Sequence, residues 1–177
     1  MVTRIPWIER RFTFALPAGF YAEMIERLRG TPARLDERLR GLPTHVLVRR
    51  HEGHWSIQEN VGHLVDLEAL WFGRIDDYER GEATLRAADI TNRATTEADH
   101  NQADIGAILM AFRRAREATV ARLDAMDPAM FERTALHPRL KVPMRLVDAL
   151  DFTAHHDDYH LATISALLRR PDSGAPE

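Results

Sequence analysis

The sequence contains no cysteine among its 177 residues. Disulfide bonds, thiolate metal sites and a cysteine nucleophile are therefore excluded, and any site for a soft metal has to be built from histidine. The chain also has no long uncharged hydrophobic run. No segment approaches the roughly 18 apolar residues that span a bilayer, and the N-terminus has no hydrophobic core of signal-peptide length. These absences predict a cytoplasmic protein with no membrane partner.

An excess of basic residues is absent as well. The chain has 24 Lys and Arg residues against 27 Asp and Glu residues, a formal charge of -3. A nucleic-acid surface would need a basic excess clustered on one face, so we expect no nucleic-acid partner. The hydrophobic share of 45% and the charged share of 29% are typical of globular proteins. At this length we predict a single domain over residues 1–177 with one sizeable core.

The first helical segment is predicted to be broken. From Pro17, hydrophobic residues recur with helical spacing as far as Gly30. Thr31 and Pro32 then fit an N-cap followed by proline at the first helical position, which predicts that a second piece starts there. Gly41 is expected to end that piece.

Three further amphipathic segments predict long helices. They start at Ser56, at about Gln102 and after Pro143, and the last one reaches Leu168. No alternating pattern is strong enough to build a sheet. Long amphipathic helices of this kind predict an all-α four-helix bundle, in which metal sites are made by side chains on facing helices.

The segments outside the helices are expected to be irregular. Residues 81–100 are polar and rich in Thr, Ala and Asp, so they predict a long loop that could roof a pocket. An N-terminal arm, residues 1–16, is expected to pack across the helical bundle of residues 17–168. Residues 169–177 are expected to be a frayed tail.

The last predicted helix carries a histidine pair, His156 and His160. Because an α-helix has about 3.6 residues per turn, the two imidazoles lie one above the other and can reach one metal ion. Such pairs also arise by chance on exposed helices, and this chain has nine histidines. The spacing also fits the His-Glu-x-x-His pattern of zinc proteases, but Asp157 replaces the glutamate, which argues against a metalloprotease.

A third ligand is best sought at His63, in the helix that starts after Ser56. Ser56 and Glu59 form a Ser-x-x-Glu capping box. Glu59 precedes His63 by one turn and Asp66 follows it by about one turn, so both carboxylates flank this imidazole. Either is a candidate to accept a hydrogen bond from the ring or to act as general base on a metal-bound water. A cap role alone is an equally good interpretation of Glu59, and a lone histidine is more often structural.

The other residues that could carry chemistry have simpler interpretations. The histidines in connectors are expected to be solvent exposed; they are His45, His51, His54, His100 and His137. Trp55 and Trp71 are expected in the core. The arginines of residues 112–116 are interpreted as the solvated face of the third long helix.

Two stretches together resemble the DinB-like (YfiT-type) superfamily of metal-binding four-helix bundles. They are Trp55-Ser56-Ile57-Gln58-Glu59-Asn60-Val61-Gly62-His63-Leu64 and His156-Asp157-Asp158-Tyr159-His160-Leu161. The family pattern is a Trp-Ser-x-x-Glu-x-x-x-His-Leu helix start and a late His-x-x-x-His, in this order and with this wide separation. The resemblance covers about residues 17–168. It departs at Thr163, where glutamine or glutamate is frequent.

The resemblance implies a three-histidine site formed by His63, His156 and His160. It would hold a divalent metal ion, zinc or nickel first and iron or manganese as further options, with open positions for water or substrate. Family members described as enzymes depend on a low-molecular-weight thiol such as bacillithiol or mycothiol, which they transfer to an electrophile or whose adduct they isomerise. Many other members have no known reaction. A homodimer is also compatible with the resemblance.

Three functional hypotheses follow for this chain. The first is a metal-dependent thiol S-transferase or hydrolase, which activates a thiol or water against a small electrophilic substrate. A cation held by neutral imidazoles keeps its charge and can deprotonate either nucleophile. Because the chain lacks cysteine, the thiol would be a cosubstrate. The second is a non-catalytic metal-binding stress protein or small-molecule sensor. The third is a helical bundle on which the histidines have no role.

Overall fold

The computed structural model describes residues 4–170, which are mostly helical. Residues 1–3 of the predicted arm and residues 171–177 of the predicted tail lie outside this range. The helices are α1 (Tyr21–Leu39), α2 (Thr44–Leu47), α3 (Ile57–Arg80), α4 (Arg93–Glu97), α5 (Ile105–Asp124) and α6 (Leu146–Leu168). The four long ones form the predicted all-α four-helix bundle, which is confirmed. None of the helices in residues 4–170 has the length and hydrophobicity needed to cross a membrane.

The bundle places helices α3 and α6 side by side. Each of α1 and α3 packs on both α5 and α6. Helices α1 and α3, which follow each other along the chain apart from the short α2, therefore occupy opposite corners. This arrangement brings together the two helices that carry the three predicted histidine ligands.

The buried hydrophobic residues form two clusters, one towards each end of the bundle. One contains Leu28, Tyr78 and Phe131, and the other contains Leu35 and Phe112. The middle of the bundle, between the clusters, is polar. Its buried side chains are Thr31, Glu68, Arg116 and Asp157 together with the three histidines. The two ends are thus held by hydrophobic burial, whereas the middle depends on paired charges.

The predicted break in the first helix is wrong, because α1 runs continuously through Pro32. Proline has no N–H group, so the carbonyl of Leu28 loses its usual helical donor. Arg116 of α5 replaces that donor: its Nη1 lies 3.1 Å from the Leu28 oxygen. The Oγ1 of Thr31 donates to Asp157 of α6 at 2.8 Å. Neighbouring helices therefore compensate for a residue pattern that by itself predicts a helix end.

The connectors contain more regular structure than predicted. Strands β1 (Thr134–Leu136) and β2 (Pro143–Arg145) form a short antiparallel hairpin. In the segment predicted as a loop, residues 81–100, Thr84 forms a bridge with Leu136 and residues 93–97 form α4. These short elements lie outside the long amphipathic segments, and their strands are too short for a two-residue hydrophobic pattern to show.

Candidate metal centre

The capping box at the start of α3 forms as predicted. The Ser56 hydroxyl accepts from the backbone N–H of Glu59 at 3.1 Å, and the Glu59 carboxylate accepts from the Ser56 N–H at 2.8 Å. The Arg50 guanidinium binds the same carboxylate. Burial raises the pKa of Glu59, but the hydrogen bonds from Arg50 and Ser56 outweigh it, so the net shift is downward. A carboxylate held in this way stabilises the helix start.

The structure brings His63, His156 and His160 together. All three are buried, and their ring centroids lie 4.6 to 5.4 Å apart. One nitrogen from each ring lies within 4.8 Å of the others. Nitrogens bound tetrahedrally to zinc at about 2.0–2.1 Å lie roughly 3.3 Å from one another, so small ring movements suffice to complete a three-histidine site.

Asn60 determines which nitrogen of His160 is free. The Nδ1 atom of His160 lies 2.8 Å from the Asn60 Oδ1 atom, and the Asn60 amide nitrogen donates to the Ser56 carbonyl at 2.7 Å. That donation orients the amide, so Oδ1 can only accept. His160 therefore carries its proton on Nδ1, and its Nε2 lone pair is free for a metal. An acceptor on the second ring nitrogen is typical of metal-binding histidines.

The other two histidines are held differently. The Nδ1 atom of His63 lies 3.0 Å from the hydroxyl of Thr95 in α4, which leaves Nε2 free. The Nδ1 atom of His156 is buried without a hydrogen-bond partner in residues 4–170. Its ring instead meets the edges of two indoles, those of Trp7 at 4.9 Å and Trp71 at 5.9 Å. Aromatic packing therefore positions His156.

Burial keeps the three imidazoles neutral. Desolvation lowers the pKa of His63 to about 4, although the nearby Asp66 charge opposes the shift. Desolvation also places the pKa values of His156 and His160 well below the ordinary histidine value. Neutral imidazole is the form that binds metals, so the donor set fits a divalent ion at neutral pH.

The expectation that Glu59 or Asp66 holds the His63 ring is wrong. Glu59 is engaged at the helix cap, and Asp66 lies 2.9 Å from His100 Nε2. The acceptor beside His63 Nδ1 is Thr95, which is 32 residues away in sequence. No local spacing rule connects two residues that far apart, so this contact could not be found from the helical pattern.

A glycine lets the Thr95 segment approach α3. A Cβ atom at Gly62 would overlap the His100 imidazole. The absence of a side chain there allows His100 to lie against α3 and reach Asp66. The Asp66–His100 pair therefore anchors the segment that carries Thr95 next to the histidine cluster.

Asp157, at the metalloprotease position, faces away from the histidines into the ionic layer. Its carboxylate accepts from Arg116 at 2.5 Å and from Thr31 at 2.8 Å. Arg116, which is only 1% exposed, also donates to Glu68 at 2.6 Å. The prediction that Arg116 lies on a solvated helix face is therefore wrong, although Arg113 on the same helix is exposed. The ionic layer fixes α6 at the residue next to His156.

The three histidines line a cleft of about 690 Å³. Its walls come from arm residues 6–8, helices α3 and α6, residues 87–92 and the hairpin turn at residues 137–139. The predicted loop thus contributes one wall, as expected. All three tryptophans of the chain, Trp7, Trp55 and Trp71, also line the cleft. The cleft therefore presents a metal-binding corner to an otherwise largely aromatic and apolar space.

Comparison with known proteins supports the same fold. YfiT from Bacillus subtilis, described as a probable metal-dependent hydrolase with an unusual four-helix bundle topology, is 24% identical over 92% of this chain and 93% of its own, with a TM-score of 0.79. A mycothiol-dependent maleylpyruvate isomerase is 16% identical, with a TM-score of 0.59. That match covers 83% of this chain and 60% of the isomerase. No curated protein sequence matches this chain.

The family is shown by a sequence model as well as by the fold. The model of the DinB superfamily matches residues 27–164, which include all three histidines and both helices that carry them. The chain belongs to the DinB superfamily.

Proposed function

We propose that this protein is a metal-dependent enzyme that activates a low-molecular-weight thiol or water against a small electrophilic substrate. His63, His156 and His160 would hold the divalent ion. One observation carries the proposal: three buried, neutral imidazoles converge at the wall of a cleft large enough for a small molecule. Three protein ligands leave at least one coordination position open, which is the arrangement of catalytic rather than structural sites.

The surrounding residues have defined tasks in this proposal. A bound divalent ion would supply Lewis acidity, which lowers the pKa of water or of a thiol. Asn60 and Thr95 hold the Nδ1 sides of His160 and His63, and so direct the free lone pairs towards one point. Trp7 and Trp71 restrict water around His156. Zinc or nickel suits three imidazoles best, with iron and manganese as further candidates.

The relatives support both nucleophiles. YfiT is described as a probable metal-dependent hydrolase, which agrees with water, and the isomerase is mycothiol-dependent, which agrees with a thiol. A thiol would have to come from a cosubstrate because the chain contains no cysteine. Carboxylates beside the site are a weaker part of the proposal, since Glu59 and Asp66 are both engaged elsewhere. The single domain, the homodimer and the cytoplasmic location stay predictions.

The first test is the metal content of tag-free protein, measured by mass spectrometry. We expect about one divalent ion per chain, lost in His156→Ala and retained in His155→Ala. His155 is a matched control, since it neighbours His156 but its side chain is 45% exposed and lies 3.5 Å from Asp151. Absence of metal in the wild type, even after reconstitution, would contradict the proposal.

Turnover is then tested on the metal-loaded protein. A chromogenic ester reports on water as nucleophile, and an electrophilic dye with added thiols reports on thiol transfer. We expect one of these activities to depend on the metal and to disappear in His156→Ala. Bound metal without turnover in any pair would favour the non-catalytic metal-binding or sensor alternative.

A further inference from the structure

The cleft contains a second polar cluster, formed by Arg74, His137 and Arg139. Trp71 lies beside both clusters: the Arg74 guanidinium carbon is 5.2 Å from its ring centroid and the His156 ring is 5.9 Å from it. His137 packs 5.4 Å from Phe152, which is one helical turn before His156 on α6. The cationic cluster and the three histidines are therefore close enough to contact the two ends of one small molecule.

His137 is a buried hydrogen-bond donor without an acceptor. The prediction that it is solvent exposed is wrong, because only 2% of its surface is accessible. Its Nδ1 atom accepts from the backbone N–H of Leu140 at 3.1 Å, so the ring proton lies on Nε2. That Nε2–H group is buried with no partner in residues 4–170. Burying such a donor costs free energy unless an acceptor is supplied, and a ligand can supply it.

The two arginines lack a counter-charge. Arg74 is 4% exposed, and its donors reach only a neutral group, the Arg86 carbonyl, at 3.2 Å. Burial lowers the pKa of Arg74 to about 10 and also lowers that of Arg139. Arg139 forms no ion pair with any of residues 4–170. Buried cations are normally paired, so this corner of the cleft favours an anion.

Nearby carboxylates do not neutralise the cluster. Asp77 is bound by Arg86, with Nη2 to Oδ1 at 2.8 Å. Asp89, which also lines the cleft, is exposed and accepts from the backbone and hydroxyl of Thr91 at 2.9 and 2.6 Å. Positive charge therefore remains in excess where the cleft is most buried.

We propose that Arg74, His137 and Arg139 bind the carboxylate of a small-molecule substrate. Its apolar body would lie against Trp71 and Phe152, with the reacting group towards the three histidines. A carboxylate has two oxygens and one charge, which match a guanidinium fork and a single imidazole N–H. A phosphate dianion needs more donors than this largely apolar corner offers. The orientation of the reacting group rests on the proposed function, whereas carboxylate binding itself does not.

The test is a titration with 3-phenylpropionate, followed by tryptophan fluorescence, since every tryptophan of the chain lines the cleft. The neutral 3-phenylpropionamide and inorganic phosphate serve as comparison ligands. We expect the carboxylate to bind at least about tenfold more tightly than the amide, and Arg139→Gln to remove that advantage, because hydrogen bonds to charged groups are worth more than neutral ones. Arg114→Gln, on the exposed face of α5, makes the same charge change and should leave binding unaltered.

Removing the metal separates this proposal from the proposed function. Carboxylate binding that persists in chelator-treated protein and in His156→Ala supports the anion site even if the metal centre fails. Loss of binding on chelation, with no effect of Arg139→Gln, would show that the carboxylate binds the metal and would overturn the proposal. Equal affinity for the amide, or binding of phosphate alone, would also overturn it. Arg139 makes no ion pair within residues 4–170, so Arg139→Gln should fold normally, and Arg139→Lys tests whether charge without the fork restores part of the affinity.

Discussion

Replacing Asn60 by leucine is predicted to weaken metal binding although no ligand is removed. The Asn60 Oδ1 atom lies 2.8 Å from His160 Nδ1, and its amide nitrogen lies 2.7 Å from the Ser56 carbonyl. Leucine is similar in size but offers no acceptor. His160 would then lose the contact that keeps its proton on Nδ1 and its Nε2 lone pair free, so part of its population would present the wrong nitrogen to the metal.

The size of the effect follows from this geometry. Loss of an acceptor behind a metal-bound imidazole typically costs 10–100-fold in metal affinity, or about 1.4–2.7 kcal/mol. Stability should fall less than two lost hydrogen bonds would imply. The Ser56 carbonyl keeps a second donor, the backbone N–H of Asn60 at 3.1 Å, and only the His160 N–H is left without a partner. One unsatisfied buried donor costs about 1–3 kcal/mol.

Zinc affinity is measured by competition with a chromophoric chelator at fixed pH, and stability by urea unfolding of the metal-free protein. Asn101→Leu is the matched control: the same substitution removes a hydrogen bond from Ser56 Oγ at 2.7 Å rather than one from an imidazole. Wild-type zinc affinity in Asn60→Leu would refute the reasoning. An equal loss in Asn101→Leu would refute it too, because the effect would then arise from the helix start and not from His160.

Two further predictions concern packing and protonation. Gly62→Ala should lower the free energy of unfolding by about 1–3 kcal/mol, since the new Cβ overlaps His100; Gly30→Ala, where a Cβ meets nothing within 4 Å, should raise it by about 0.5–1 kcal/mol, and a stable Gly62→Ala would contradict the packing. In metal-free protein, burial lowers the pKa of His63 from 6.5 to about 4, so the unfolded chain takes up the proton first as pH falls. Between pH 7 and 4.5 the wild type should lose about 2 kcal/mol more than His63→Gln in urea unfolding, and equal losses would exclude a buried neutral His63.

Much of the candidate site was predictable because its signals are local. His156 and His160 share a helix face through spacing alone, and Ser56 with Glu59 marks the start of α3 within four residues. Which helices become neighbours is not a local property. His63 could be paired with them only through the family resemblance, and the packing of α3 on α6 then placed the three rings together.

The misjudged residues share one physical cause. Pro32, Arg116 and His137 each have a local pattern that predicts a helix break or solvent exposure, and each is overruled by a partner far along the chain. Arg116 supplies the donor that Pro32 removes from α1, and it is itself buried between Glu68 and Asp157. Local propensity is a weak prior when tertiary contacts of this strength oppose it.

The sequence by itself determined the helical segments, the capping box and the identity of the three histidines, because these depend on residue type and short spacing. Only the tertiary structure decided how the histidines are held and what surrounds them. Thr95 and Asn60 reach His63 and His160 from segments 32 and 100 residues away. Arg74 and His137 meet in the cleft in the same way. Contacts of this kind are set by how the chain packs, and no periodic pattern in the sequence records them.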